Sequence, residues 1–433
     1  MPAIQETATQ RFLTQFASLP AGPTWLQAKR DEAKAHLEAV GFPTTKDEEW
    51  KYTDISPALE VESFPIAKAA LNGRASQIAS QIPFETLNGH RLVFVDGYYQ
   101  SELSRIEALP EGVILENLAA SIDRDCEILT EHFGRYIKVE GEAFNALNTM
   151  FAVDGTFLRV PANVVVEAPI HLVFISTDAS TITHPRNLFL IGNFAEATVI
   201  ETFVSGEGHE HFTNAITEVS TGNGAQFKHI KINLESDDSY HVGTFQIQSA
   251  RDVVAKSHNL NFGGKIVRNN SNAILGDENG EVTLNGLVLG RGKQLVDNHT
   301  VMDHALPHCA SHEMYVHVLD DSSTGVFNGK IFVRLDAQKT DAKQSNRTLL
   351  LSPDATINAK PQLEIFADDV KCTHGATIGQ LDENAMFYLR ARGIPQREAN
   401  VILIRAFAEE VFNGIENEAL LEALEKEVEA RLG

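Results

Sequence analysis

From near Val160, and for about 210 residues, the chain is built of short β-branched runs broken by Gly, Asn and Asp. NLFLIGNFAEATVIETFV, NGAQFKHIKINLES, SYHVGTFQIQS, GEVTLNGLVLG, TGVFNGKIFV and DATINAKPQLEIF are too short for helices and rich in residues that suit a pleated surface. Many short strands with corner turns specify a sandwich, a barrel or a solenoid, and pattern counting does not choose among them. Several runs share a form: an apolar residue, a small pair read as a turn, then a second apolar run. Leu284-Asn285-Gly286-Leu287 and Phe327-Asn328-Gly329-Lys330 are examples. Their spacing is irregular, so a strict repeat array is not expected.

The flanks differ. Residues 1 to about 60 read as helical, with Leu26, Ala33, Leu37 and Val40 on one face and Gly41 and Pro43 as the stop. Arg91 to Tyr99 reads as a strand and turn, and Ala143 to Phe151 as a helix. The last 60 or so residues are helical. Ala399, Ile402, Leu403 and Ala406 are expected to form one apolar stripe, continued by Phe407 and Val411, and Leu420, Leu421, Leu424 and Val428 another.

Chemistry concentrates between Lys360 and Ile394. Cys372 and His374, two apart in an extended segment, point to one face, where a thiol and an imidazole can approach one metal ion. Asp382 is placed to cap a helix bearing Met386, Phe387, Leu389 and Arg390; Gly393 is its left-handed stop, and Pro395 opens the next helix.

These residues carry a close resemblance. KPQLEI, ADDVKC, HGAT, FYL and RGI, with HALPHCASHEMYVH, GVFNGKIFV and AQKTDAKQSNRTLLLSP upstream, resemble the SufB/SufD family of scaffold subunits in the SUF iron-sulfur cluster assembly system. The likeness is contiguous over about the last 140 residues and returns in DEEWKYTDI, Asp47 to Ile55. ADDVKC with HGAT and the absence of N-terminal cysteine motifs match the SufD side. The resemblance implies a mainly β fold: a right-handed parallel β-helix over 159–374, an N-terminal helical and mixed α/β region over 1–158, and a C-terminal helical domain over 375–433. It implies a non-catalytic scaffold that pairs with a SufB-like sister, docks a SufC-like ABC-type ATPase through Phe387, Tyr388, Leu389, Arg390, Arg392, Gly393 and Ile394, and works in the cytoplasm. His374 matches the residue expected at the sister interface beside a nascent iron-sulfur cluster, with Cys372 a weaker candidate beside it. A reduced flavin in the complex and a homodimer of the isolated chain are further expectations.

Composition bounds the alternatives. A formal net charge of -23 repels nucleic acid and anionic membranes. No apolar run approaches a bilayer span, and Met1 to Gln10 is polar, so no signal peptide is expected. Only Cys126, Cys309 and Cys372 are present, too few and too scattered to hold a cluster alone. His299, His304, His308, Cys309, His312 and His317 are dense enough for a metal but lack a protease order, and packing or an interface is the expectation. Gly290-Arg291-Gly292-Lys293 and Gly263-Gly264-Lys265 resemble phosphate loops, but Gln294 and Ile266 stand where a magnesium-binding hydroxyl belongs, so this chain is expected to bind no nucleotide. The rival reading is a polysaccharide-processing β-helix enzyme using Asp320-Asp321 and Asp368-Asp369 as a carboxylate cluster.

Overall fold

The computed structural model describes residues 7–61, 76–77, 84, 87–124, 126–177, 181–208 and 210–432. The first six residues of the polar N-terminal segment lie outside these. Among the described residues, strands alternate between two ten-stranded sheets, and almost every neighbouring pair is parallel. The first sheet runs from Tyr98–Tyr99 and His90–Val95 through Ile170–Ser176 to Asp341–Leu350 and Lys371–Gly379. The second runs from Ile114–Asn117 and Thr156–Val160 to Thr324–Val333 and Thr356–Ile365. From Arg186–Ile191 onward each strand on the main path of its sheet pairs with the strand two further along, so the chain winds as a β-solenoid with one strand of each sheet per coil. The last strand carries the first sheet past position 374.

The repeat is more regular than spacing between runs indicates. Val254 lies beneath Glu281 and Ala310 beneath Asp341, offsets of 27 and 31 residues. One corner of each coil carries a residue in the left-handed region: Asn163, Phe194, Gly224, Asp252, Asn279, His308 and Lys339. Its amide donates to the next coil, as from Phe194 to the Asn223 carbonyl (2.8 Å) and from His308 to the Gln338 carbonyl (2.9 Å). A left-handed non-glycine costs about 1 kcal/mol, which one satisfied backbone bond offsets.

The interior between the sheets is apolar along one side. Phe94, Phe174 and Phe203 stack one above another, with ring centroids 5.0 and 4.8 Å apart. Val282, Leu284 and Val288 are buried. The Asn-Gly pairs are not turns. Both lie inside straight strands, Glu281–Gly290 and Thr324–Val333. Glycine is required there because a Cβ on Gly286 would sit 2.2 Å from the Tyr315 ring, and one on Gly329 2.4 Å from the Gln344 amide.

Helices cover the outer faces. Thr24–Val40, with Leu26, Ala33 and Leu37 buried, and Ala143–Phe151 pack with Phe212, Tyr240 and Val242 on the second sheet. Gln396–Ala408 and Glu418–Leu432 pack on Ile200, Ile230, Leu260, Leu287 and Val316 of the first. In the former the buried face is Ala399, Ile404 and Ala408; Ile402 and Ala406 are exposed. The expected stripe is therefore rotated: Ile404 and Ala408, one turn apart, face the first sheet in place of Ile402 and Ala406. Leu420, Leu424 and Val428 are buried in the last helix.

Candidate functional site

The inward positions of Asp341–Leu350 are Ala342, Gln344, Asn346 and Thr348, all buried. The register sets Cys372, His374, Ala376 and Ile378 directly above them, and aligned residues of a parallel ladder share a face. Cys372 and His374 thus do share a face, and it is the interior face. No further coil covers it: His374, Ala376 and Ile378 are exposed and Cys372 is half-buried against the core. Across the opening, Ile357, Ala359, Pro361, Leu363 and Ile365 stand over Gly325, Phe327, Gly329, Ile331 and Val333. The result is an open mouth with an apolar cross-section, one thiol and one imidazole. Burial and the nearby Asp341 carboxylate push the Cys372 thiol up, so it is a poor ligand until a cation draws off its proton.

Three residues beyond the mouth, Asp382 caps Glu383–Ala391, accepting from the amides of Asn384 (2.8 Å) and Ala385 (3.3 Å). Gly393 ends it with φ +86°. This helix buries no residue: Phe387 is 75% and Tyr388 58% exposed. Arg392 stacks over the Tyr388 ring at 4.8 Å, and Leu389 and Ile394 are half-buried while Arg390 and Gly393 are exposed. An open cleft of about 620 Å³ lies between this helix and the next, lined by Leu381, Met386, Phe387, Arg390 and Gln396.

The segment Asp47 to Ile55 is a strap across the outer face of the second sheet. Trp50 is buried beneath the Arg268 guanidinium, 4.5 Å from its ring, whereas Tyr52 is exposed. Arg268 pairs with Asp297 (2.7 Å), which accepts from Thr53 (2.6 Å) and faces His299 (3.0 Å). Glu49 meets His299 (3.2 Å), and Glu48 reaches Lys360 on the last second-sheet strand (2.5 Å). Arg268 and His299 hold the Asp297 carboxyl well below the usual carboxylate range despite its burial. Of the two aromatics in this strap, Trp50 is a packing anchor and Tyr52 is not.

The remaining histidines are dispersed. His304 bonds Ser311 (2.8 Å), His308 forms a corner, His317 meets Asn346 (3.0 Å), and Cys309 donates to the Asp277 carbonyl (3.2 Å). Among the described residues no three His, Cys, Asp or Glu side chains gather as a metal site. Asp320-Asp321 turns from the first sheet to the second and Asp368-Asp369 from the second to the first, so the two pairs lie at opposite corners and form no cluster. Gly290–Lys293 and Gly263–Lys265 lead into strands, without the helix N-terminus a phosphate loop uses.

Comparison with known proteins decides the family. The model for "SUF system FeS cluster assembly, SufBD core domain" matches residues 174–407, and that for "SufBD protein N-terminal region" matches 13–172. The chain belongs to the SufBD family. The iron-sulfur cluster assembly protein SufD of Escherichia coli is 33% identical over 93% of this chain and 92% of its own length. A SufBD family protein of Synechocystis sp. is 33% identical over 89% and 87%. The chloroplastic protein ABCI7 of Arabidopsis thaliana is 30% identical over 99% and 92%. Membership in this iron-sulfur assembly family supports a scaffold role, and among the described residues no helix is long and apolar enough to cross a membrane.

Beneath the family's expected site lie two residues that the sequence reading passed over. Glu313 and Gln344 occupy successive rungs of the inward column that ends at His374. Both are buried, and Gln344 Nε2 donates to Glu313 Oε2 at 2.7 Å. Burial pushes the Glu313 carboxyl up to about 7, against the lowering by Thr300 and Gln344. The available signal was alternation: Ser311, Glu313, Tyr315 and His317 are the inward, polar-capable positions of one strand.

Proposed function

We propose that this chain is a non-catalytic scaffold subunit whose open mouth pairs end to end with a SufB-like sister, the nascent iron-sulfur cluster being cargo held between them. The observation that carries this reading is the uncapped final coil, which presents a bare apolar cross-section with His374 and Cys372 in its inward row. An exposed parallel edge is a template for another strand, and a partner built on the same coil meets it in register. His374 supplies one borderline-soft ligand and Cys372 a second once its proton is displaced; the sister supplies the rest. So divided, the site opens when the interface opens, as transfer of the cargo requires.

The exposed helix Glu383–Ala391 is the natural dock for a SufC-like ABC-type ATPase, with Phe387 and Tyr388 as anchors. Only three residues join it to the strand carrying His374. A pull on this helix reaches the mouth through that short link, which makes the role mechanical. The setting proposed is a cytosol, and a reduced flavin is assigned to the assembled complex rather than to this chain. Coexpression with the SufB-like and SufC-like proteins of the same organism, followed by size-exclusion chromatography with light scattering, tests the pairing. One co-eluting complex is expected, in which His374→Ala still assembles but loses cluster formation. A chain that elutes alone, or a normal cluster yield in the variant, overturns the reading.

A further inference from the structure

The column beneath His374 is built asymmetrically. Gln344 is 3% exposed, and its amide nitrogen is committed downward to Glu313. Its carbonyl oxygen, the other arm of the same planar amide, is buried and has no hydrogen-bond partner. The next rung of the column is His374. Gly329 across the interior leaves the space in which this amide lies, since a Cβ there would fall 2.4 Å from Gln344 Nε2 and 2.9 Å from Cδ. Three residues from three strands, Glu313, Gly329 and Gln344, thus hold one buried amide with an unpartnered oxygen on the rung below His374.

We infer that Glu313 and Gln344 are positioning residues for His374: when the exposed imidazole turns inward, the unpartnered oxygen of the buried amide accepts its N–H and so turns the other ring nitrogen, with its lone pair, out of the mouth. A neutral imidazole has one donor and one acceptor nitrogen, and whichever nitrogen donates inward leaves the other for an electron-poor centre outside. A histidine that ligates metal ordinarily donates its second nitrogen to a carbonyl or carboxylate, which fixes ring and tautomer and raises ligand basicity. Here the oriented acceptor is in place before any cargo arrives. Gln344 can offer a donor or an acceptor; with its nitrogen donating to Glu313 Oε2, the arm left over is the acceptor oxygen.

This inference rests on the proposed role of His374 but has its own readout. Long-range ¹H–¹⁵N spectra of the ¹⁵N-histidine-labelled full chain report the two ring nitrogens of each imidazole, and His374 is assigned by the signal lost in His374→Ala. One tautomer is expected to dominate in the native chain. Gln344→Leu, which keeps the bulk and removes the acceptor, shifts His374 to the mixed populations of a free imidazole, whereas Gln344→Glu, which keeps an acceptor, retains the single tautomer. Glu313→Gln, which frees the Gln344 amide to turn, gives an intermediate mixture and serves if Gln344→Leu fails to fold. In the assembled complex Gln344→Leu is expected to lower cluster yield by about 10-fold or more. A His374 spectrum unchanged in both Gln344→Leu and Glu313→Gln overturns the inference while leaving the scaffold reading intact; normal cluster yield in His374→Ala overturns that reading whatever the spectra give.

Discussion

The two ends of the solenoid are finished in opposite ways. At the N-terminal end both outermost strands run antiparallel to their neighbours: Tyr98–Tyr99 folds back on His90–Val95 through Asp96 and Gly97, both in the left-handed region, and Ile114–Asn117 runs against Thr156–Val160. Tyr99, Leu109 and Val113 then pack against the interior core. At the C-terminal end both outermost strands are parallel, and their inward rows are left exposed or half-exposed. An antiparallel turn reverses the winding and carries the chain across the opening, whereas a parallel edge keeps the register a further coil would use. One end is a stopper and the other a template.

The sharpest way to break this contrast is to place the same charge one coil apart. Ile331 is fully buried and Leu363 stands on the rung above it at the mouth. Ile331→Asp strands a carboxylate in the core at a cost of several kcal/mol, a large part of a typical net stability of 5–15 kcal/mol, and is expected to abolish cooperative thermal unfolding. Leu363→Asp is expected to leave the unfolding of the isolated chain nearly unchanged but to abolish co-elution with the sister subunit. Equal destabilisation by the two would mean that the mouth is covered in the isolated chain.

A smaller effect separates the ion pairs of the two ends. Near the closed end Arg186 and Glu218 are both fully buried, 2.5 Å apart, and Glu218 also accepts from the amides of Gly134, Tyr136 and Ile137. Arg186→Met leaves that carboxylate without its counter-ion, an expected loss of about 3–5 kcal/mol in urea titration. The Lys360–Glu48 pair beside the open end is exposed, and Lys360→Ala is expected to cost under about 1 kcal/mol. Comparable losses would show that the strap closes the open end as firmly as the antiparallel turns close the other.

The smallest is a pH effect close to the mouth. Glu313, raised to about 7 by burial, binds its proton more tightly folded than unfolded. Its contribution is fully present below the unfolded carboxyl range, near pH 4.5, and is lost as pH rises through about 7. Glu313→Gln should therefore remove a downward slope in stability between about pH 5 and 7, worth on the order of 1–3 kcal/mol, in denaturant titrations across that window. A slope that persists in the variant would assign it to other buried groups.

Much of the scaffold was legible because local chemistry and tertiary structure agree. Asp382 caps its helix, Gly41 and Gly393 stop theirs, and Ala143–Phe151 is the helix its pattern indicates. Cys372 and His374 were paired correctly because alternation in a strand is a local property. The Asn-Gly pairs misled because glycine there answers to a ring and an amide from other coils, at separations that a linear reading does not register. The apolar stripe of Gln396–Ala408 was misplaced because Ile402 and Ile404 are equally apolar, and only the sheet selects between them. Glu313 and Gln344 read as ordinary polar residues of a strand until stacking placed them under His374.

Sequence alone carried the short strands, the helix caps and the family, since these follow from side-chain preference over a few residues or from motifs kept in order. It could not determine which coil is last, which face of that coil is bare, or what lies beneath its imidazole. Those depend on stacking residues about thirty apart, where the energy comes from pairs the chain brings together only after it has wound.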